Sequence, residues 1–184
     1  LWVLLTLGVL ALAVIIALVG IINTLALSGA AMFCIEATAV EAIGRITPGC
    51  LGLYNDAQEA AFKPIIASVR QHSKTAITLQ LGHAGRKASS HKPWDGGQLI
   101  PVAEGGWQTE GPSALPHKAD EPAPLAIDAA GLKRILDAFV AATRRAERLG
   151  IDAIEVHSAH GYLLHQFLSP ISNQRTDAYG GSAS

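Results

Sequence analysis

The segment from Asp128 to Val156 constrains the fold most. Leu132, Ile135, Leu136, Phe139, Val140 and Leu149 recur at helical spacing, while Lys133, Arg144, Arg145 and Arg148 lie largely off that stripe. Asp128 stands before it as a cap and Gly150 after it as a terminator. Next comes Ile151 to Val156, an apolar run with the length and β-branched content of a buried parallel strand. A helix that feeds straight into such a strand is the second half of a βαβ unit. Two earlier apolar runs, Ala30 to Val40 and Thr75 to Leu81, are further strands. A helix is expected between them, capped by Asp56 and ending near His72, with Ala60, Ile65, Ile66 and Val69 facing inward. Pro64 should kink that helix or mark its true first turn. Strand, loop, helix, strand therefore repeats along the chain, which specifies an α/β fold with parallel pairing.

In such folds ligands and catalytic groups gather at the carboxyl ends of the strands. His157, His160, Tyr162 and His165 follow the last strand within nine residues. Two chemistries can use the cluster. A zinc site needs three or four ligands converging tetrahedrally at about 2 Å, but these spacings lack the four-residue separation of a helical pair, and no metal ligands are assigned. The second reading has His157 and His160 donating hydrogen bonds to a substrate oxygen while the Tyr162 hydroxyl supplies a proton. Near the ends of the other strands stand Glu36, read as a structural group, and Gln80, a side chain that donates and accepts at once. His83, Arg86 and Lys87 read as a solvated basic turn outside the catalytic set. Cys34 and Cys50 have neither CxxC nor metal spacing, and Cys34 reads as a small buried residue of its strand. Ser89 to Pro124 is a long loop, the kind that in compact domains is functional or disordered.

Three stretches together resemble the old yellow enzyme family, the FMN-dependent ene-reductases and NAD(P)H:flavin oxidoreductases. EVHSAHGYLLHQFLSPISNQRTDAYGGS resembles the family's strand-four signature, IEATAVEAIGRITPGCLGLYND its strand two and following loop, and LQLGHAGRKAS its strand three. HKPWDGGQLIPVAEGGWQTEGPSALP is similar to the long loop of the xenobiotic-reductase-like branch, which lies over the active-site face. The resemblance implies a partial TIM (β/α)8 barrel, strands two to four, over residues 29–184. It also implies FMN as cofactor, NAD(P)H as reductant and an activated alkene such as an enone as small-molecule substrate. By the same resemblance His157, His160 and Tyr162 are catalytic, and Gln80 and the backbone at Ala37 contact the flavin. Three strands of eight leave two open edges, which predicts a truncated, poorly stable reductase, and self-association into a homo-oligomer is one way to cover them.

Charge is distributed unevenly. The 184 residues carry a net charge of −1 and are 49% apolar, with no basic stripe that would suit a nucleic acid. Residues 1–35, however, contain no Asp, Glu, Lys, Arg or His. Leu1 to Ile22 as a helix would reach about 33 Å, enough to cross a hydrocarbon core of about 30 Å. Residues 1–28 are therefore expected to form one transmembrane-like apolar helix, placing the chain at a membrane, whereas without it the expectation is cytoplasmic. Ala11 to Ser28 also resembles a helix of the FtsX/MacB-like ABC-transporter permeases. The alternative that follows is a membrane or transporter-associated fusion fragment without catalytic activity.

Overall fold

A computed structural model describes residues 20–181. Its centre is a three-stranded parallel sheet of β1 (Met32–Ala39), β2 (Ala76–Gly82) and β5 (Ala153–Val156), in the order β1-β2-β5. Three helices accompany it: α1, whose described part is residues 20–27, α2 (Asp56–His72) and α3 (Ala129–Arg148). A short helix, α4 (Leu163–Leu168), follows β5. The parallel α/β architecture expected from the alternation of apolar runs is thus present.

Period-two alternation divides the sheet. Phe33 and Ile35 of β1 and Ile77, Leu79 and Leu81 of β2 are buried in one core with Phe62, Ile65, Ile66 and Val69 of α2 and Ala142, Ala146 and Leu149 from α3 and its end. Met32, Cys34 and Glu36 point the other way and are exposed, as is Glu155 of β5. Cys34 is therefore not the buried residue expected of it: its strand is covered on one face only, and it lies on the other.

The helix ends follow capping chemistry. In α2 the cap is Asn55, whose Oδ1 accepts from the Gln58 N–H at 2.9 Å, and Asp56 is the first helical residue, where its charge suits the positive end of the helix dipole. Pro64 lies inside α2 and not in its first turn. Ala60 is exposed, and Phe62 and Glu59 take inward positions instead. In α3, Asp128 caps as expected, accepting from Gly131 N–H at 2.7 Å. Ile135 is buried, but Leu136 and Val140 of the same stripe are 63% and 42% exposed. The stripe is wider than the sheet and the neighbouring helix among the described residues cover.

Two polar clasps fix the helices. Arg148 donates to both oxygens of Glu59 at 3.0 and 2.6 Å, joining α3 to α2. Arg70, near the end of α2, donates to the Gly150 carbonyl at 2.7 Å and to Asp152 at 2.5 Å, and Asp152 accepts the Ile77 N–H at 2.7 Å. Arg70 and Asp152 thereby set the start of β5 against the start of β2.

Residues 1–19 of the expected membrane helix lie outside the described residues. Its described continuation, α1, is docked on the domain. Ile22 and Ala26 belong to the main core, Asn23 Nδ2 donates to Ser68 Oγ at 3.0 Å, and the Ala26 carbonyl accepts from the hydroxyls of Ser73 and Thr75 at 2.7 and 3.0 Å. Among the described residues no helix is long and apolar enough to cross a membrane. This corrects the transmembrane-like reading of the 20–28 end, where the apolar residues serve a protein core.

The long loop is anchored. Trp107 Nε1 donates to the Ile43 carbonyl at 2.9 Å, its ring receives the Arg45 guanidinium at 4.9 Å, and its backbone N–H donates to the buried Ser89 hydroxyl at 2.9 Å. A two-residue parallel pairing of β3 (Glu110–Gly111) with β4 (Leu125–Ala126) closes it. The loop therefore lies against the segments that leave the carboxyl ends of β1 and β2.

Leu79, fully buried between the helices and β2's neighbours, is expected to cost about 3 kcal/mol on substitution by Ala. Leu136→Ala, on the uncovered part of α3, is expected to cost less than about 0.5 kcal/mol. Urea denaturation of the two variants checks the difference.

Candidate active site

The site begins with an irregularity in β1. Pairing with β2 runs from Met32↔Ala76 to Ile35↔Leu79, then shifts, resuming at Thr38↔Leu81. Within this bulge Ala37 has φ +51°, an uncommon conformation for a residue with a Cβ. The shift turns the Ala37 N–H towards β2, where it donates to Gln80 Oε1 at 3.1 Å. Gln80 Nε2 in turn donates to Glu155 Oε1 of β5 at 2.6 Å. One side-chain amide thus bridges all three strands on the open face, and Ala37 and Gln80, separated by 43 residues, meet.

The second part is the turn after β5. His157 N–H continues the ladder to the Leu81 carbonyl at 2.9 Å, after which the chain reverses through His160 (φ +57°) and Gly161 (φ +73°). This reversal folds three rings together: His157 lies 5.2 Å from His160 and 5.0 Å from Tyr162, centroid to centroid, edge-on to both. His157 Nδ1 accepts from the Ala159 N–H at 3.4 Å, which leaves Nε2 as the protonated, donating nitrogen of a neutral ring. Burial, then the nearby His160 and Lys87, hold the His157 imidazole below the ordinary histidine pKa despite the opposing Glu155. Burial, with Cys50 next, pushes the Tyr162 phenol above its ordinary value. At neutral pH the site therefore holds a neutral imidazole and a protonated phenol.

His165 does not join the rings. Its Nδ1 accepts the Gly161 N–H at 2.8 Å and so supports the turn. Among the described residues no three His, Cys, Asp or Glu side chains are placed to hold a metal ion.

Two residues help build the site beyond those expected: Gln166, which the sequence did not single out, and Lys87, which it read as part of a solvated basic turn. Gln166, fully buried on α4, donates to the carbonyls of Ala84 and Gly161 at 3.0 and 2.7 Å and accepts the Arg86 N–H at 3.1 Å. It ties the turn after β2 to the turn after β5. Gly85 leaves the room it needs, since a Cβ there, at φ +61°, would come within 2.2 Å of Gln166 Oε1. Lys87 is the other: its Nζ donates to the His160 carbonyl at 2.8 Å and lies 4.9 Å from the Tyr162 ring centroid. It belongs to the cluster and not to a solvated turn. No local pattern reveals this, because its partners lie 73 residues away. A narrow cleft joins the parts, with Ala37, Arg45, Ile46, His83, His157 and Tyr162 among its lining. His83 is buried behind it, with Nε2 2.8 Å from Glu41, which Arg134 also binds at 3.1 Å.

Residues 18–184 match the NADH:flavin oxidoreductase / NADH oxidase family. The chain belongs to that family. FMN, with NADH or NADPH as reductant, is the family's cofactor set. The match begins at residue 18 and takes in α1, whereas the sequence placed the start of family-like residues at Gly29. The permease-like reading of residues 11–28 finds no support. An NADH:flavin oxidoreductase of Gibberella zeae is 47% identical over 158 residues, covering 84% of this chain and 38% of that protein. An NADPH dehydrogenase of Listeria innocua is 40% identical over 158 residues, covering 86% and 42%. Among solved structures, morphinone reductase superposes with a TM-score of 0.69 at 32% identity over 82% of this chain and 41% of its own. An Old Yellow Enzyme from Pichia sp. superposes at 0.76 with 28% identity over 90% and 42%. The partial-barrel expectation accords with these neighbours, and the chain spans about two-fifths of the length of the relatives it matches.

Gln166→Leu should leave the Arg86 N–H and the Gly161 carbonyl unpaired, with the Ala84 carbonyl keeping only the Lys87 N–H, and cost about 2 kcal/mol or more, with loss of the paired histidine environment in NMR spectra. Nitrogen-detected titration of the ring is expected to place His157 below the ordinary histidine range. Lys87→Gln removes a nearby positive charge, so it should move that titration upward.

Proposed function

We propose that this chain carries the substrate-activating half of a flavin-dependent reductase of activated alkenes, with NADH or NADPH as electron source. The observation that carries the reading is the convergence of His157, His160 and Tyr162 beside the Ala37 and Gln80 pair, two groups separated in sequence and joined by the parallel register. Gln80 suits a flavin ring edge, since beyond its bonds to the Ala37 N–H and to Glu155 its amide keeps a second N–H and a second lone pair, and the Ala37 N–H would exchange its bond to Gln80 for one to the ring. FMN, when bound, supplies hydride transfer from the reduced nicotinamide to the alkene β-carbon.

The protein's own part is polarisation and protonation. His157, through its Nε2–H, and His160 donate to the carbonyl oxygen of the alkene and stabilise the negative charge that grows there as the β-carbon is reduced. Tyr162 delivers the proton to the α-carbon, and its elevated pKa keeps that proton in place at neutral pH. Electrons and protons balance, with one hydride and one proton added across the double bond.

Enone-dependent NADPH oxidation by the chain after FMN loading tests this. Retained flavin near one equivalent is expected. Tyr162→Phe and His157→Ala should each lower kcat by about a hundredfold while flavin stays bound. A chain that retains no flavin, or turnover unaffected by both substitutions, would overturn the reading.

A further inference from the structure

Three cations stand in or beside the site without carboxylate partners: Arg45 in the lining of the cleft, Lys87 against the Tyr162 ring, and Arg86 next to Lys87 in the chain. The ion pairs among the described residues join Arg70, Arg134, Arg145, Arg148, Arg175, Lys118 and Lys133 to acids, and none includes Arg45, Arg86 or Lys87. Arg45 lines the cleft, pinned by its bonds to the Ala42 and Pro48 carbonyls and by Trp107. Arg86 holds the Leu115 and Pro116 carbonyls at 3.3 and 3.2 Å, and its buried Nε has no partner. Lys87 is held at the rings, by the His160 carbonyl at 2.8 Å and over Tyr162 at 4.9 Å.

The nearby acids are engaged elsewhere. Glu41 is bound by His83 and Arg134, Glu155 by Gln80, and Glu121 lies 3.4 Å from Lys118. An ammonium group has three donors. For Lys87 one goes to the His160 carbonyl and the Tyr162 ring lies 4.9 Å away, so donor capacity remains beside the rings. A half-buried, unpaired cation beside a reaction centre favours a ligand that brings the missing charge.

We propose that Lys87, supported by Arg45 and Arg86, selects alkenes that carry a carboxylate in addition to the carbonyl held by His157 and His160, over neutral alkenes of the same skeleton. The inference rests on the alkene-reductase reading for the identity of the ligand, and on the charge arrangement alone for its anionic character. The position of Lys87 over the Tyr162 ring places the anion on the substrate that receives the proton.

Binding and turnover test it separately on the FMN-loaded full chain. The saturated probes 4-oxopentanoate and its methyl ester share one skeleton and differ in charge by the methylation of the carboxylate. By calorimetry the carboxylate is expected to bind about tenfold more tightly than the ester. Lys87→Gln, which keeps a donor for the His160 carbonyl, should abolish that difference, and Lys87→Arg should restore it. Equal binding of the two probes by the unaltered chain, or a preference that survives Lys87→Gln, overturns the proposal. So does a Lys87→Gln effect confined to NADPH relative to NADH, which would assign the charge to the nucleotide's extra phosphate. Reduction of 4-oxopent-2-enoate and of its methyl ester gives the second readout. If both are reduced equally well, the selectivity falls and the reductase reading stands. If neither is reduced but the binding preference holds, the reductase reading falls and the anion site stands.

Discussion

The register of β2 against its two neighbours is the constraint on which the rest depends. Parallel pairing of Gln80 with Glu155, and the bulge that carries Ala37 towards β2, place three strands' carboxyl ends at one level. The helices act on this register from behind. Leu79 and Leu81 are fixed between α2 and α3, and Arg70 with Asp152 joins the start of β5 to β2. Burial of one face and polar chemistry on the other are therefore two consequences of one pairing.

Around that frame the polar side chains divide by task. Arginines of α3 are paired with acids: Arg148 with Glu59 and Arg145 with Asp56 of α2, and Arg134 with Glu41 after β1 and Glu110 of β3. Burial alone would raise the Glu41 carboxyl, yet His83 and Arg134 together hold it below the ordinary carboxylate value. At the site the charges are left open. Lys87, Arg45 and Arg86 bond to carbonyls, and Lys87 and Arg45 also face aromatic rings, which orients them without cancelling their charge.

Much of this was legible in the sequence because it is local. Gly150 between an amphipathic stripe and a β-branched run defines α3 and β5, and the spacing of His157, His160 and Tyr162 already places three rings on one turn. What was not legible depends on the third dimension. Cys34 lies in an apolar run but on the face no helix covers. The α1 segment reads as membrane-like because the residues on both of its faces are apolar: Ile22 and Ala26 are buried, whereas Ile21, Leu25 and Leu27 are exposed. Hydropathy does not distinguish a lipid from a protein neighbour. Lys87 and Gln166 gain their linking roles from contacts across more than seventy residues, and neither has a local pattern that announces it.

The alternation along β2 has a consequence for how such a site can change over generations. Ile77, Leu79 and Leu81 face the core, and Gln80 lies between two of them. A single inserted or deleted residue in that strand would exchange the two sets, putting an amide among aliphatic side chains and leucines on the open face. Heritable variation in this segment is therefore channelled into substitutions, one side chain at a time, while changes of length are confined to the connections. The chemistry can drift, but the address at which it is performed cannot.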